Sequence, residues 1–534
     1  MLSRPDLLRP VLRAATMREA DRRTMDEWHL PGRALMETAG RACADAVERL
    51  ASGGFASGTM GWSPEATVLA GKGNNGGDGL VIARVLHARG WHVRVLTTAS
   101  GDDATPDTAA NLAMLQRLER DSDRLSIAGP DGDGGRPDIV VDALLGIGIS
   151  GELREPVASL AAWATRQRPC ARVFAVDVPT GLDADTGRAA SGAVHADATL
   201  AMGALKAGLL LGDGSQIAGA VGVAEIGIPD RLLREHADAW TASGDWLGTV
   251  LPRRAPGAHK YSAGRAVCVV GSRAYTGAAV LATRAASRSG AGAVVACTPT
   301  SAQATIDAHN AEVMVDAQPE TDDGALSITA YDGIRQRLDA ADAVLLGCGL
   351  GREKETHRLV RALMRRVGAE APPAVLDADG LGAFAGDTGP LAERAGGRVL
   401  LTPHLGELRR LLGDDDFSPE DRISTVRDLA TEWHSVLLLK GMPSVIGAPD
   451  GTVAIGPPGH PALATAGTGD VLAGTACGLM AQGLSPQDAA LAALHLGYRA
   501  ACRWPGRPEA MVAGDLLSPT ALASGELRPS PEAP

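Results

Sequence analysis

The chain has 534 residues, 45% of them apolar, and at one domain per roughly 100–200 residues it should form two or three domains with sizeable cores. Its 63 Asp+Glu against 51 Lys+Arg give a formal net charge of -12, with no basic tract to neutralise a run of phosphates, so no nucleic-acid partner is expected and a small molecule is the better substrate. Seven scattered cysteines with no CxxC pair, an N-terminus carrying Arg4, Asp6, Arg9, Arg13, Arg18 and Glu19, and the lack of an uncharged apolar run of about 18 residues argue against a disulfide framework, a secretory signal and a membrane partner, so a cytoplasmic protein is expected.

In chain order, a predicted strand over 66–70 leads into a Gly-rich loop and a helix over 80–88, and further strands follow over 93–96, 139–145, 173–177 and 199–202. Such alternation predicts a parallel sheet with helices on both faces and ligands at the carboxyl ends of its strands. A polar, Pro-bearing stretch over 230–258 reads as a linker between a first domain over 12–229 and a second over 259–523. The second series of strands runs over 265–270, 294–297, 343–346, 374–376 and 436–439, and the Pro-bearing tail over 524–534 is expected to be disordered. The fold class is therefore α/β, with two doubly wound domains.

The first loop, Gly71-Lys72-Gly73-Asn74-Asn75-Gly76-Gly77-Asp78-Gly79, formally satisfies GxGxxG. No acidic residue follows about 20 positions on to hold a ribose, and no Gly-Lys-Ser/Thr completes a P-loop. What the segment offers is backbone N–H groups that can approach a pyrophosphate, and a tight Gly-rich turn explains it equally well when it is taken alone. Two further strand ends carry polar, Gly-rich loops starting at Asp142 and Asp177. Oxygens of Asn75, Asp142 and Thr180 could hold a hard cation, while Asp177 could transfer a proton.

These loops, with Met36-Glu37-Thr38-Ala39-Gly40 upstream, resemble the NAD(P)H-hydrate epimerase family. The resemblance implies a Rossmann-like, three-layer domain that interconverts the R and S forms of hydrated NADH or NADPH and binds K+. It further implies Asn75, Asp142 and Thr180 as the K+ ligands. Asn74, Asn75, Gly76, Gly77, Asp78, Gly146, Ile147, Gly148, Ile149, Ser150, Gly151, Glu152 and Asp177 would face the substrate. Thr180 stands where that family usually has Ser, which keeps the hydroxyl.

In the second half, Gly467-Thr468-Gly469-Asp470 stands directly before an apolar helix over 471–481. Exposed N–H groups and the helix dipole there can stabilise a phosphoryl group in transfer, and a first-turn carboxylate can take the proton of an attacking hydroxyl. An N-cap Asp is the simpler explanation of these four residues alone. Lys440-Gly441-Met442-Pro443-Ser444 at a strand end suits a nucleotide phosphate, and Thr402-Pro403-His404 supplies a loop histidine that could equally be a cap.

With Ala278, Gly349 and the 377–382 segment in this order, the second half resembles the ribokinase-like NAD(P)H-hydrate dehydratase family. That resemblance implies dehydration of the S hydrate at the expense of ADP or ATP with Mg2+, by phosphorylation of the hydroxyl and expulsion of phosphate. Lys440, Gly441, Met442, Pro443, Ser444 and Gly469 would meet the nucleotide. Ala278, Gly349, His404 and Asp470 would meet the hydrate, with Asp470 as base. Gly459-His460-Pro461 stands where the family has Gly-Asn-Pro, and Gly382 takes the place of an Asn. A homo-oligomer is expected. The competing reading is a ribokinase-like small-molecule kinase with a non-catalytic N-terminal binding module, against which Asp177 and the intact residues 74–78 argue.

Overall fold

The computed structural model describes residues 2–51, 64–100, 103–148, 151–368 and 371–518. Ile149, Ser150 and the tail over 524–534 lie outside the described residues. The chain divides into two compact units, Arg9–Ala239 and a second formed by Met1–Leu8 with Trp240–Pro534.

The first unit contributes β1 (Leu8–Leu12), β2 (Glu65–Ala70), β3 (His92–Thr97), β4 (Leu125–Ala128), β5 (Ile139–Ala143), β6 (Arg172–Val176), β7 (Ala198–Met202), β8 (Leu205–Lys206) and β9 (Ala220–Ala224). Seven of these form one parallel sheet in the order β4-β3-β2-β5-β6-β7-β9, and β1 pairs in parallel with β8 outside that sheet. The strands are almost continuously apolar because both faces are covered. Val68, Val95 and Val141 pack on one face with Leu80, Ile82 and Leu86, while Leu69, Leu96 and Val140 pack on the other with Leu160, Ala161 and Ala164. This alternation gives the three layers that a doubly wound sheet requires.

The Gly-rich segment, expected as a loop ahead of a helix over 80–88, is helical from its second half: the helix is Asn74–Ala88. A Cβ on Gly76 would lie 1.8 Å from the Gly71 carbonyl oxygen, and one on Gly71 would lie 1.8 Å from that of Leu144. The strand-to-helix turn therefore closes only where side chains are missing. Strand order reverses between β2 and β5, which opens the crevice where such sheets bind ligands.

The second unit contributes β10 (Ala239–Ala242), β11 (Arg265–Val269), β12 (Ala293–Pro299), β13 (Met314–Gln318), β14 (Ala343–Leu346), β15 (Ala374–Leu376), β16 (Val399–Leu401), β17 (Val436–Leu439), β18 (Val445–Gly447) and β19 (Val453–Ile455). They run in the order β13-β12-β11-β14-β15-β16-β17-β18-β19-β10, parallel up to β17, with β18 antiparallel to both neighbours. Residues 230–258, expected as linker, hold helix Asp230–Glu235, β10 and helix Gly244–Val250. In the last of these, Trp246 is fully buried and donates Nε1–H to the Ser3 carbonyl at 2.8 Å.

Helix Thr468–Ala481 lies against helix Thr276–Arg288 so closely that a Cβ on Gly474 would sit 2.0 Å from the Ala282 carbonyl oxygen. Among the described residues no helix is long and apolar enough to cross a membrane. Gly474→Ala should cost the second unit roughly 1–3 kcal/mol by overpacking a backbone contact. Gly497→Ala, whose Cβ meets nothing within 4 Å, should instead be neutral or slightly stabilising. Hydrogen exchange of the Thr468–Ala481 amides distinguishes the two outcomes.

Candidate active sites

In the first unit the ends of β2, β5 and β6 are neighbours, so the three loops singled out in the sequence meet. Asp142, fully buried, accepts from Thr180 N at 2.8 Å, Thr180 Oγ1 at 2.7 Å and Leu144 N at 3.3 Å. Thr180 Oγ1 in turn accepts from Leu145 N at 3.1 Å, and Asn75 Nδ2 donates to the Leu145 carbonyl at 2.9 Å. Among the described residues no Lys, Arg or His pairs with Asp142. Burial pushes its carboxyl up to about 6, against the pull of the Thr180 and Leu144 donors.

Above this cluster lies a cavity of about 610 Å³ lined by Asn74, Asn75, Asp78, Gly146, Ile147, Gly148 and Asp177 among others. Gly76 and Gly77 are buried beneath it, where Gly77 abuts Met36 and Thr108. Gly151 and Glu152 are exposed and do not line the cavity; Glu152 accepts from Ser191 N at 3.1 Å.

Asp177 follows β6 with φ +66°. Its Oδ1 accepts from Lys206 Nζ at 2.6 Å and Met202 N at 2.9 Å, and Lys206, only 1% exposed, also donates to the Met202 carbonyl at 2.6 Å. Lys206 went unnoticed in the sequence because a lone lysine in a short apolar run carries no local signal; only the fold brings β8 beside the end of β6. Asp21, on helix Ala14–Glu27, also lines the cavity, and burial lifts its carboxyl to about 6 with repulsion from Asp177 adding and Lys206 opposing.

In the second unit the loops after β11, β14, β15, β16 and β17 lie side by side. Gly349, at φ +70°, leaves no room for a side chain: a Cβ would be 2.9 Å from that of Ala278. One ligand atom each of Cys348, Asp377 and Asp470 lie within 4.8 Å of one another. Asp377 accepts from Thr402 Oγ1 at 2.7 Å, Lys440 Nζ at 3.0 Å and, through sulfur, Cys348 at 3.6 Å. Lys440 also faces Glu407 at 3.5 Å; burial works to lower its pKa, but the two carboxylates outweigh that and raise it.

Asp470 is the third residue of helix Thr468–Ala481, whose N-cap is Gly467 at φ +90°, so it is not an N-cap. Its carboxyl is pushed up to about 7 by burial and by Asp377, against Cys348 and Lys440. His404 does cap: its Nδ1 accepts from Glu407 N at 3.2 Å at the start of helix Leu405–Leu412, and its side chain is 55% exposed.

Gly469, whose Cβ would stand 3.5 Å from Lys440 Nζ, joins Lys440, Gly441, Met442, Ser444 and His460 around a second cavity of about 400 Å³ with largely apolar walls. The 440–444 loop is braced by Arg422, which donates to the Pro443 carbonyl at 2.8 Å and the Leu439 carbonyl at 3.2 Å. His460 Nδ1 accepts from Ala462 N at 3.2 Å, and Gly382 faces the His357 ring.

Two family models match the chain: one described as NAD(P)H-hydrate dehydratase over residues 266–521, and one described as YjeF-related protein N-terminus over 32–208. A bifunctional NAD(P)H-hydrate repair enzyme of Salinibacter ruber is 44% identical over 533 residues, 95% of each chain. One of Moorella thermoacetica is 40% identical over 521 residues, 94% of each chain. Among solved structures, an ADP/ATP-dependent NAD(P)H-hydrate dehydratase of Bacillus subtilis co-crystallised with ATP/Mg2+ is 28% identical, covering 54% of this chain and 98% of its own, with TM-score 0.46.

The Thr180 hydroxyl is both donor to Asp142 and acceptor from Leu145. Thr180→Val keeps the shape and strands both partners, so it should cost about 1–3 kcal/mol, whereas Thr180→Ser should cost less than 1 kcal/mol. Urea unfolding of the two variants checks the difference.

Proposed function

Because the chain belongs to the family of bifunctional NAD(P)H-hydrate repair enzymes, we propose that its first unit interconverts R and S hydrates of NADH and NADPH and its second dehydrates the S form with ADP or ATP, in the cytoplasm. The observation that carries this reading is Asp470: a first-turn carboxylate turned away from capping, beside Lys440 and a cavity with room for a nucleotide.

In the second unit the hydrate's hydroxyl attacks the terminal phosphorus while Asp470 takes its proton. The N–H groups of the first turn after Gly467, with Lys440, stabilise the charge on the phosphoryl oxygens. Phosphate is a far better leaving group than hydroxide, so the ring nitrogen's lone pair can expel it, and loss of a ring proton restores the double bond. Mg2+ accompanying the phosphates would spread their charge, and the hard oxygens of Asp379, itself held by Gly351 N at 3.0 Å, suit such an ion. Ala278, Gly349 and His404 face the hydrate.

In the first unit Asp177 is the proton-transfer group, fixed by Lys206. Asn75, Asp142 and Thr180 would hold K+. Their donor set is all oxygen, and Asp142 is a buried carboxylate without a cationic partner among the described residues, which fits a monovalent cation. When bound, the ion supplies positive charge under the 144–148 loop that faces the substrate.

The test is incubation with mixed R and S NADH hydrate plus ADP or ATP, following NADH absorbance. Both epimers should be restored, and a stable phosphorylated product would instead mark a small-molecule kinase. Asp470→Asn should stop restoration and leave epimerisation intact; Asp177→Asn should leave only the S form consumed. With a carboxyl near 7 acting as base, the restoration rate should climb about tenfold per pH unit below 7 and level off above it, because only the unprotonated form accepts the hydroxyl proton. Replacing K+ by tetramethylammonium should slow epimerisation while dehydration of purified S hydrate continues unchanged.

A further inference from the structure

The first unit's cavity holds a carboxylate with no task in the scheme above. Asp78 projects from the second turn of helix Asn74–Ala88 into the cavity that Asp177 also lines. Among the described residues no donor or cation bonds its side chain. The other charged groups facing this cavity are Arg18, Asp21, Lys72, Asp107 and Asp177. The cations are engaged elsewhere: Arg18 donates to the Ile147 carbonyl at 2.9 Å, Lys72 faces Asp103 at 3.7 Å, and Lys206 behind the wall holds Asp177. Burial, with repulsion from Asp177 and Asp21, pushes the Asp78 carboxyl well above the usual range, and Lys206 only partly opposes this. Asp78 and Asp177 thus differ in kind: among the described residues one has no bonded partner, while the other is ion-paired with Lys206.

Inverting a hydrated ring carbon that bears a hydroxyl beside the ring nitrogen needs two such groups. The nitrogen lone pair can expel the hydroxyl only if a proton reaches the oxygen as it leaves, giving water and a flat iminium ring. Water must then add from the opposite face and surrender a proton there. Asp78 comes from the helix that follows β2 and Asp177 from the end of β6, with β5 between those two strands, and both side chains line the one cavity.

We propose that Asp78 is a second catalytic residue of epimerisation: its carboxylic acid protonates the departing hydroxyl, while Asp177 accepts the proton of the water that adds to the other face. The proposal rests on the reading of this unit as an epimerase. The C–O bond breaks as the N=C bond forms and water leaves; a second water forms the new C–O bond, its proton passes to Asp177, and the lone pair returns to nitrogen. The proton returns from Asp177 to Asp78 through cavity water, with Asp21 beside both as an intermediate acceptor, and the reverse reaction exchanges the two roles.

The experiment uses the full chain and purified R hydrate of NADH, without nucleotide, in 18O-labelled water, corrected for the uncatalysed rate. The wild-type S product should carry one solvent oxygen per inversion. Asp78→Asn should slow epimerisation by about 100-fold or more, the scale of a lost general acid, while the same preparation dehydrates S hydrate with ADP at the wild-type rate. Asp78→Glu should recover part of the loss, which a purely structural role of the helix turn would not predict. Retention of the original oxygen in the wild-type product, or Asp78→Asn within tenfold of wild type, overturns the proposal. A wild-type chain that interconverts no epimers overturns the reading of the whole unit.

Discussion

A carboxylate taken out of water needs a cation, a ring of N–H and O–H donors, or a proton, because its uncompensated charge in a protein interior costs several kcal/mol. The functional half of each unit is organised by that constraint. Asp377 and Asp177 are met by Lys440 and Lys206, two lysines withdrawn from solvent to do it. Asp142 is met by three neutral donors and remains short of positive charge. Asp470 and Asp78 are met by neither in full, and hold their protons to higher pH than a surface carboxylate would. The different solutions lie within one or two strands of each other, so neighbouring acids sit in different surroundings and can take different chemical roles.

The sheets make this arrangement possible. Parallel strands bring every carboxyl end to one edge, and where strand order reverses the covering helices part. Polar loop residues can then gather above an apolar floor without burying unpaired backbone. Glycines set the fine distances. Gly71 and Gly76 let helix Asn74–Ala88 begin just past the end of β2, and Gly349 lets the β14 loop pass against Ala278. A side chain at any of these positions would push the loop outward and open the site to water.

This division also explains what could be read from the sequence. The central strands were legible because both-face burial writes them as unbroken Val, Leu and Ala runs; Asn75, Asp142, Asp177 and Lys440 drew notice because each lies in or soon after such a run, and Asp470 because it opens an apolar helix. The short strands β18 and β19, three residues each, left no room for any period to show. The glycines over 71–79 were read as loop because helix propensity counts against them, yet close backbone contact overrides it. Lys206, Asp21 and Arg422 were missed altogether: each acts on residues apart from it in the chain, and no local pattern announces such a partner. His404 kept its simpler role as a helix cap.

Seen chemically, the two proposed reactions meet one obstacle in two ways. A hydroxyl beside the ring nitrogen departs poorly as hydroxide. A proton from a carboxylic acid makes it leave as water, and since water surrounds the cavity the step reverses at once, so the outcome is exchange between epimers. A phosphoryl group makes it leave as phosphate, whose return is unfavourable, so the outcome is net removal. The first solution needs only acids of unequal proton affinity in an open cavity. The second needs an anion-binding helix terminus, a buried lysine and a base whose own proton affinity has been raised close to neutrality. Each unit supplies the set that its proposed reaction requires.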